Sequence, residues 1–473
     1  MPFPHTVFKR RFCLPSYKNL QVVLARMSFA KDFITKPHGD PYPLLSHSAD
    51  WLEEIKNGRY TVKKGETTRL LGQFFPYATY EVAACLSSGS VGFVFTLSGK
   101  VASFSLASDG GLLYTLGEHR ERLVFSDAPL SEACLLVTCR PGAFDIYKRE
   151  GEALSLLGTV KEPAFAASHQ YAAFGSATAA LSLGGGASAT RVLSYIDNGI
   201  ALADIRPIRY ENGEVMQSEG KIYLTATVRM EEEAFQGVFS WIPATAELAL
   251  TGALFYDAGD GLWCGDVAAS LLYHRTEKRW LLWVASFAHG HILGHAAFTG
   301  EPRFGVNVID ITLMDKAPDG ADPTLFLGFE GDEDPDFFYD EKEGRWLFAV
   351  CRLDPLCRQY RYFFFASSSP FEGYRFLGKG KEGAETGGSF VRVDGALYFV
   401  CGNGYGVRAE YRIYGKEGFS LAAFDYDDGG FRGWGTVLPL PLGSRTRLFL
   451  LTFDRQNASG YTWSYGNLYC FEA

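Results

Sequence analysis

Apolar and polar residues alternate in short runs along most of this chain, and glycine or charged turns separate the runs. Two stretches of the C-terminal half, residues 334–352 and 385–403, follow one plan. Each begins with a carboxylate (Asp334 or Glu385), continues through an apolar run and a tight turn, and ends with a second apolar run. Alternation on both sides of a turn predicts a β-hairpin in each stretch.

Hairpins of this kind recur after residue 190 at intervals of about fifty residues, with further short strands between them. The five predicted hairpins cover residues 214–229, 266–289, 334–352, 385–403 and 438–455. A repeat of this length that holds four strands is typical of a β-propeller blade. The sequence therefore predicts an all-β protein in which residues 191–473 form a five-bladed β-propeller.

Residues 68–183 show shorter alternating strands between Gly, Ser and Asp turns, which predicts an antiparallel β-sandwich over residues 46–190. The run 91–106, with the Gly-Gly turn after it, resembles the jelly-roll of laminin-G and concanavalin-type modules. That resemblance implies a carbohydrate-binding accessory domain, and a purely structural sandwich is the alternative. Residues 184–189 are interpreted as a flexible joint. Residues 1–45 are interpreted as a basic N-terminal extension, and Met27 is an alternative start.

The composition narrows the class of partner. The chain has 473 residues, 47% of them hydrophobic and 15% aromatic, which indicates a globular protein of two domains. A net charge of -9 argues against nucleic acid and suits a neutral ligand such as an oligosaccharide. Without a secretion signal or an apolar span the chain is expected to be cytoplasmic, with its 9 cysteines reduced and no membrane partner. The oligomeric state is left open.

Propeller geometry predicts where a site would lie. The first strand of each blade begins at one face of the central channel and the second strand ends there, so the flanking residues share a rim. The rim residues predicted in this way are Glu214, Arg229, Asp266, His289, Asp334, Arg352, Glu385, Asn403, Asp454 and Arg455. Paired carboxylates at a sugar-sized pocket are the groups that glycoside hydrolysis requires.

The stretch that begins Asp334-Pro335-Asp336 resembles a blade opening of the five-bladed glycoside hydrolases of the arabinanase/xylosidase family 43 and the invertase/levansucrase families 32 and 68. Glu333 stands where the latter families have Arg. By this resemblance Asp334 orients the acid and stabilises the transition state, and Glu385 is the general acid. Asp266, Arg229, His289, Arg352, Asn403 and Arg455 are expected to bind substrate.

The family also implies a third carboxylate in the first blade, as base or nucleophile. The candidates are Glu214, Asp204 and Glu211, with Asp266 next. The sequence therefore leaves the base or nucleophile of the first blade unassigned.

Two other functions stay open. Asn212-Gly213 and the Glu333-Asp334 pair also resemble the mannoside phosphorylases, in which a single carboxylate works with phosphate held by cationic side chains. A propeller that binds a glycan without cleaving it is the alternative outside enzymology. No metal or other cofactor is predicted from the histidines at 289, 291 and 295, although a structural calcium in the channel is possible in this class.

Overall fold

A computed structural model describes this protein over residues 28–33, 42–43, 60–61, 68–125, 129–151, 153–196, 199, 201–230, 232–381, 383–403, 410–415, 418–423, 431–442, 445–454 and 468–472. Strands dominate this part of the chain, which confirms the all-β class. Helical structure among these residues is limited to a 3-10 segment, Pro163–His169, and one α-helical turn, Tyr171–Phe174. No helix here is long and apolar enough to cross a membrane.

The N-terminal half contains two antiparallel sheets. The first has the strand order β12 (Ala153–Lys161), β11 (Ala143–Glu150), β10 (Glu132–Arg140), β5 (Thr79–Leu86), β14 (Ala187–Ile196) and β2 (Tyr42–Pro43), with β3 (Tyr60–Thr61) also on β14. The second has the order β4 (Thr68–Gln73), β13 (Thr178–Gly184), β6 (Ser90–Leu97), β7 (Lys100–Ala107), β8 (Gly111–Leu116) and β9 (His119–Val124).

These two sheets share one apolar core. Phe93 and Phe95 on β6 are two residues apart, so they face the same side, and Phe104 on β7 joins them. Phe144 on β11 of the other sheet packs on Phe95 at a ring-centroid distance of 5.4 Å. All four rings are fully buried, and burial of each contributes roughly 1.5–3 kcal/mol.

The segment 184–189, interpreted from the sequence as a flexible joint, is instead a turn between β13 and β14. Its Gly185 has φ +61, a left-handed conformation that glycine adopts without a steric penalty. A Cβ on the facing Gly89 would lie 1.8 Å from the carbonyl oxygen of Gly184. The glycines here allow two backbones to approach closely inside the domain.

The C-terminal half contains five successive sheets, numbered sheets 1 to 5 below. Sheet 1 has β15 (Ala201–Pro207), β18 (Lys221–Arg229), β19 (Ala234–Ile242), β20 (Glu247–Asp257) and β24 (Gly305–Asp310), with β17 (Gln217–Ser218) on β18. Sheet 2 has β16 (Arg209–Tyr210), β21 (Val267–His274), β22 (Arg279–Ser286), β23 (Ile292–Phe298) and β25 (Thr312–Leu313).

Sheet 3 has β26 (Glu333–Asp340), β27 (Arg345–Asp354), β28 (Gln359–Ser367) and β29 (Arg375–Lys379). Sheet 4 has β30 (Glu385–Val393), β31 (Ala396–Asn403), β32 (Glu410–Gly415) and β33 (Gly418–Ala423). Sheet 5 has β34 (Phe431–Leu442), β35 (Arg445–Asp454), β36 (Leu468–Glu472) and, from the other end of the chain, β1 (Ser28–Phe33).

One strand of each sheet, called its leading strand below, contributes to a ring. Strands β15, β21, β26, β30 and β34 each contact the next, and β34 contacts β15. Strands β34 and β15 belong to separate sheets and do not pair through their backbones. A side-chain hydrogen bond joins them, from Thr436 Oγ1 to the Ile205 carbonyl at 2.6 Å. Side-chain packing therefore closes the ring.

Every leading strand carries the same irregularity. The register with its partner breaks between Ala203 and Arg206, Val267 and Ser270, Glu333 and Asp336, Thr386 and Ser389, and Arg432 and Gly435. Such a β-bulge bends the strand and redirects one side chain. The first bulged residue is left-handed in four sheets: Asp204 (φ +54), Ala268 (φ +58), Asp334 (φ +52) and Gly387 (φ +58). The repeat thus defines equivalent positions around the ring.

Four of the five predicted hairpins coincide with the leading strand pairs of sheets 2 to 5. The first predicted hairpin, 214–229, forms in part, because β17 pairs with β18. The leading strand of sheet 1 is nevertheless β15, which the pattern missed because residues 208–216 separate it from β17 in place of a tight turn. Residues 28–33, inside the predicted N-terminal extension, form a strand of sheet 5.

Candidate active site

Two aspartates occupy the same bulge position in alternate sheets of the ring. Asp204 lies in sheet 1 and Asp334 in sheet 3, and each is only 2% exposed. A left-handed conformation at a residue other than glycine costs about 1 kcal/mol or more, so the surrounding strands must hold both residues in place. The equivalent positions of sheets 2 and 4 are Ala268 and Gly387, which carry no charged side chain.

Asp204 is held by one hydrogen bond and has one unsatisfied oxygen. Thr227 Oγ1 donates to Oδ2 at 2.5 Å, whereas Oδ1 is buried without a hydrogen-bond partner among the described residues. Burial raises the pKa of Asp204 to about 7, and the charge of Asp334 adds to the shift. Arg229 and Arg206 oppose it. A carboxyl group of this kind is protonated over much of the neutral range.

Asp334 accepts hydrogen bonds from the neighbouring sheet. Thr386 Oγ1 and the Gly387 amide donate to its Oδ2 at 3.1 and 3.2 Å. Burial raises the pKa of Asp334, and the Arg206 guanidinium is the first of the groups that oppose the rise. Arg206, two residues after Asp204, donates to the carbonyl of Pro335, the residue after Asp334, so the two aspartates lie at the same part of the ring.

Glu333, His291 and Phe287 extend this group toward solvent, and sequence reasoning assigned none of them a role in a site. Glu333 Oε2 lies 3.5 Å from His291 Nε2, and both side chains are 26% exposed. Burial and the charge of Asp334 raise the pKa of Glu333, which His291 opposes. The Phe287 ring stacks on the His291 ring at 4.0 Å. The only signal in the sequence was the Glu333-Asp334 pair, which departs from the family motif.

A buried polar cluster lies on the ring axis two residues after the bulges. Asp336 accepts from Ser270 Oγ at 2.6 Å, from the Phe390 amide at 2.7 Å and from Arg209. Arg206 Nη1 donates to the Pro335 carbonyl at 2.5 Å. This cluster ties sheets 1 to 4 together, and it places the Arg206 charge beside both aspartates.

Glu385, predicted from the sequence to be the general acid, does not occupy the bulge position of Asp204 and Asp334. It precedes the left-handed Gly387 by two residues, so its ring equivalents are Asp332 and Asp266 rather than Asp334. Its side chain is fully buried, accepting from the Tyr362 amide at 2.9 Å and from the Tyr414 hydroxyl. Burial raises its pKa. The Glu385 backbone lies next to the group around Asp334, since Thr386 and Gly387 donate to Asp334, but the described partners of its carboxylate are Tyr362 and Tyr414.

Arg352, predicted to bind substrate, makes a buried ion pair instead. Its Nε and Nη2 donate to the two oxygens of Asp332 at 2.6 and 2.7 Å, and its Nη1 donates to the carbonyls of Pro323 and Phe326 at 2.6 and 3.1 Å. With these donors engaged and the side chain 2% exposed, Arg352 anchors the segment before β26.

Asp266 and His289 stabilise the rim loop after β22. Ser286 Oγ donates to Asp266 at 2.6 Å and the Ala288 amide donates to it at 3.1 Å. His289 contacts Ser286 Oγ at 2.8 Å and Asp260 at 3.1 Å. Burial raises the pKa of Asp266. Both residues lie on the predicted rim, but their described contacts are with protein groups.

Glu214 is not part of the group around Asp334. Its carboxylate is exposed and pairs with Arg275 Nη1 at 3.2 Å, and Glu211 pairs with the same guanidinium at 3.1 Å. Arg275 follows the last residue of β21, whereas Asp266 precedes the first, and a strand of 8 residues is roughly 26 Å long. Glu214 and Glu211 therefore lie toward the opposite face of the ring.

Four predicted residues remain. Arg229, at the end of β18, lies close enough to lower the pKa of Asp204, so it belongs with the group. Asn403 pairs with Glu385 in the β30–β31 register. Asp454 ends β35. Arg455 lies outside the described residues, as do the side chains of Asn403 and Asp454.

One set of potential metal ligands occurs at the site: Glu333, Asp334 and Cys351 have ligand atoms within 4.8 Å of one another. The Cys351 thiol donates to the Glu385 carbonyl at 3.1 Å, and burial raises its pKa well above the ordinary value. A protonated thiol is a poor metal ligand, and calcium prefers six or more oxygens. This set therefore does not fit the calcium that the resemblance allowed.

No protein-family model and no curated protein matches this chain. Its structure resembles several solved ones. A thermostable family-43 glycoside hydrolase has 11% identity and a TM-score of 0.37, over 57% of this chain and 88% of its own. An endo-1,4-β-xylanase from Bacteroides thetaiotaomicron has 13% identity and a TM-score of 0.35, over 57% and 90%. A family-32 β-fructofuranosidase from Bombyx mori has 12% identity and a TM-score of 0.33, over 56% and 59%.

The structurally similar proteins are glycoside hydrolases of families 43, 32 and 62. This confirms the resemblance found in the sequence as a resemblance to five-bladed families. Similarity at these identities and TM-scores does not support an inference about activity.

Proposed function

We propose that this chain is a glycoside hydrolase with its active site at the centre of a five-bladed β-propeller and a β-sandwich as its N-terminal domain. Five sheets whose leading strands form a ring support the propeller. Two antiparallel sheets around one core support the sandwich. The substrate would be a small oligosaccharide.

The observation that carries this proposal is the pair of buried aspartates, Asp204 and Asp334, at equivalent bulges. Two carboxyl groups with unequal environments divide the roles of acid and charge stabiliser, as glycoside hydrolysis requires. Asp204, with a pKa of about 7 and an unsatisfied Oδ1, suits a proton donor. Asp334, which accepts two hydrogen bonds, suits the stabiliser of positive charge at the anomeric centre.

In the reaction that we propose, Asp204 transfers its proton to the glycosidic oxygen as the bond to the anomeric carbon breaks. A water molecule attacks that carbon and gives its proton to Glu333, the carboxylate with the greatest exposure of the three. Solvent then returns a proton to Asp204 and removes one from Glu333. The products are two sugars with free hydroxyl groups, and no cofactor is consumed.

The test is hydrolysis of a panel of aryl α- and β-glycosides and short oligosaccharides by the wild type and by Asp204→Asn, Asp334→Asn and Glu333→Gln. We expect each variant to lose activity by about 100-fold or more while remaining folded. Asp340→Asn is a matched control, because Asp340 ends the same strand β26 at its far end from Asp334. Full activity in both Asp204→Asn and Asp334→Asn would refute the proposed site.

The same panel with added phosphate separates hydrolysis from the phosphorylase alternative. That alternative needs free cationic side chains, and of the rim arginines Arg229, Arg352 and Arg455, Arg352 is engaged by Asp332. We therefore expect turnover without phosphate. A strict phosphate requirement would favour a phosphorylase, and sugar binding without any turnover would favour a glycan-binding protein.

A further inference from the structure

Phe287 is a large apolar residue that the fold leaves exposed beside charged groups. Half of its surface is accessible, at 50%, and it directly follows Ser286, the last residue of β22. Its ring and that of His291 are nearly parallel, with 22° between their planes and 4.0 Å between their centroids. One face of Phe287 is therefore covered by His291, and the exposed area belongs to the rest of the ring.

The loop that carries Phe287 is held firmly. The Ala288 amide donates to Asp266 at 3.1 Å, and the Gly331 amide donates to the His291 carbonyl at 2.8 Å. The second bond ties the loop to the segment that leads into β26. A ring fixed by its neighbours can serve as a binding surface at little entropic cost.

The position of the ring relates it to the proposed chemistry. His291 lies between Phe287 and Glu333, with Nε2 at 3.5 Å from Glu333 Oε2. Glu333 is adjacent to Asp334 in the chain, so the Phe287 ring is one side chain removed from the carboxylates. The apolar face of a sugar ring stacks on aromatic rings while its hydroxyl groups stay hydrated, which suits a half-exposed ring at the edge of a polar site.

We propose that Phe287, backed by His291, is the stacking platform for a sugar ring in the subsite next to the cleaved bond. This inference rests on the proposed glycoside hydrolase function and specifies its substrate as an oligosaccharide with one sugar unit bound over this ring. The platform acts equally on bound substrate and transition state, so it contributes to KM more than to kcat.

The test compares Phe287→Ala with Phe287→Trp and with a matched control, Phe304→Ala. Phe304 is 48% exposed and precedes β24, the outermost strand of sheet 1, so the control removes an equally exposed ring away from the ring axis. KM and kcat would be measured on aryl monosaccharides and on the matching di-, tri- and tetrasaccharides. Binding of the oligosaccharides would be measured by calorimetry in parallel, with Asp334→Asn present in each protein.

We expect Phe287→Ala to raise KM about tenfold for substrates long enough to cover the ring, with kcat unchanged. Phe287→Trp should retain the wild-type KM, and Phe304→Ala should have no effect on any substrate. If Phe287→Ala and Phe304→Ala hydrolyse substrates of every chain length with the same KM, the platform is overturned and the proposed function stands. Binding that depends on Phe287 without any hydrolysis would support the platform and overturn the function. An absence of both binding and hydrolysis in the wild type would overturn both.

Discussion

At the scale of single residues, Asp204 links activity to pH. Its pKa of about 7 means that the proposed acid loses its proton as the pH rises through that value. We expect kcat/KM to decline above pH about 7, by about tenfold per pH unit in the limit. A pH–rate profile on the best substrate of the panel measures this. A rate that stays level well above pH 7 would exclude Asp204 as the proton donor.

The same residue affects stability. The folded pKa of Asp204 lies above its ordinary value of 3.8, so the unfolded chain releases this proton first. The folded state therefore loses stability as the pH rises from about 4 to about 7, and the loss is complete above that range. We expect Asp204→Asn to raise the free energy of unfolding at pH 8 by about 1–3 kcal/mol, and to change it little at pH 4. Denaturant unfolding of both proteins at the two pH values measures the difference.

The sequence and the structure favour different roles for Glu385. The resemblance makes it the general acid, but its carboxylate is buried against Tyr362 and Tyr414. We expect Glu385→Gln to retain activity within about tenfold and to be destabilised, because the amide cannot accept as strongly from both donors. Rates normalised to the folded fraction make the comparison. A loss as large as that of Asp334→Asn would restore the sequence assignment.

The residues of the site were only partly predictable. Asp334 stood out because a carboxylate before an apolar strand is uncommon. Asp204 was one of four candidates, because the bulge that aims it inward leaves no trace in a pattern of period two. Glu385 was assigned to the pocket because it opens its strand as Asp334 does, whereas the bulge register places it two residues before the position equivalent to Asp334. Phe287 could not be singled out from the sequence, because it resembles the last residue of an apolar strand.

At the scale of elements, we predict that Arg352 stabilises the segment before β26. The charge of Asp332 is buried and has Arg352 as its ion-pair partner, so Arg352→Ala leaves an uncompensated carboxylate. We expect a loss of about 3–5 kcal/mol in the free energy of unfolding. The double variant Arg352→Met with Asp332→Leu should recover part of that loss. An unchanged stability together with a raised KM would instead indicate the substrate-binding role predicted from the sequence.

The hairpins were the most predictable elements. In sheets 2 to 5 both leading strands are apolar, and only two to four residues separate them. Sheet 1 differs, because residues 208–216 between its first two strands contain β16, which pairs in parallel with β21 of sheet 2. That exchange between sheets is a long-range contact, and a local pattern holds no information about it.

At the scale of the whole molecule, the fifth sheet depends on both ends of the chain. Strand β1 pairs with β36, which pairs with β35. We expect a chain that starts at Met27 to unfold at the same temperature as the full chain, because β1 is intact. A chain that starts at residue 34 should unfold at a lower temperature. Calorimetric scans of the two truncations give the answer, and equal midpoints would mean that β1 contributes nothing to stability.

The two halves of the chain are also joined by side chains that no periodicity reveals. Phe75 and Tyr77, between β4 and β5, pack on Trp263 at 4.9 and 6.3 Å between ring centroids. Trp263 lies in the segment that leads to Asp266 on the rim. With 3% of its surface exposed, Trp263 is a core residue.

The pairing of β1 with β36 has a consequence for how the protein is made. A ribosome releases β1 early and β36 among the last residues of the chain. At typical rates of synthesis the first strand waits on the order of half a minute for its partner. During that time its backbone is an open edge, available to any other unpaired strand, including one on a neighbouring nascent chain. Sheet 5 is therefore completed only after β36 has been synthesised, and its yield in a cell depends on keeping β1 unoccupied.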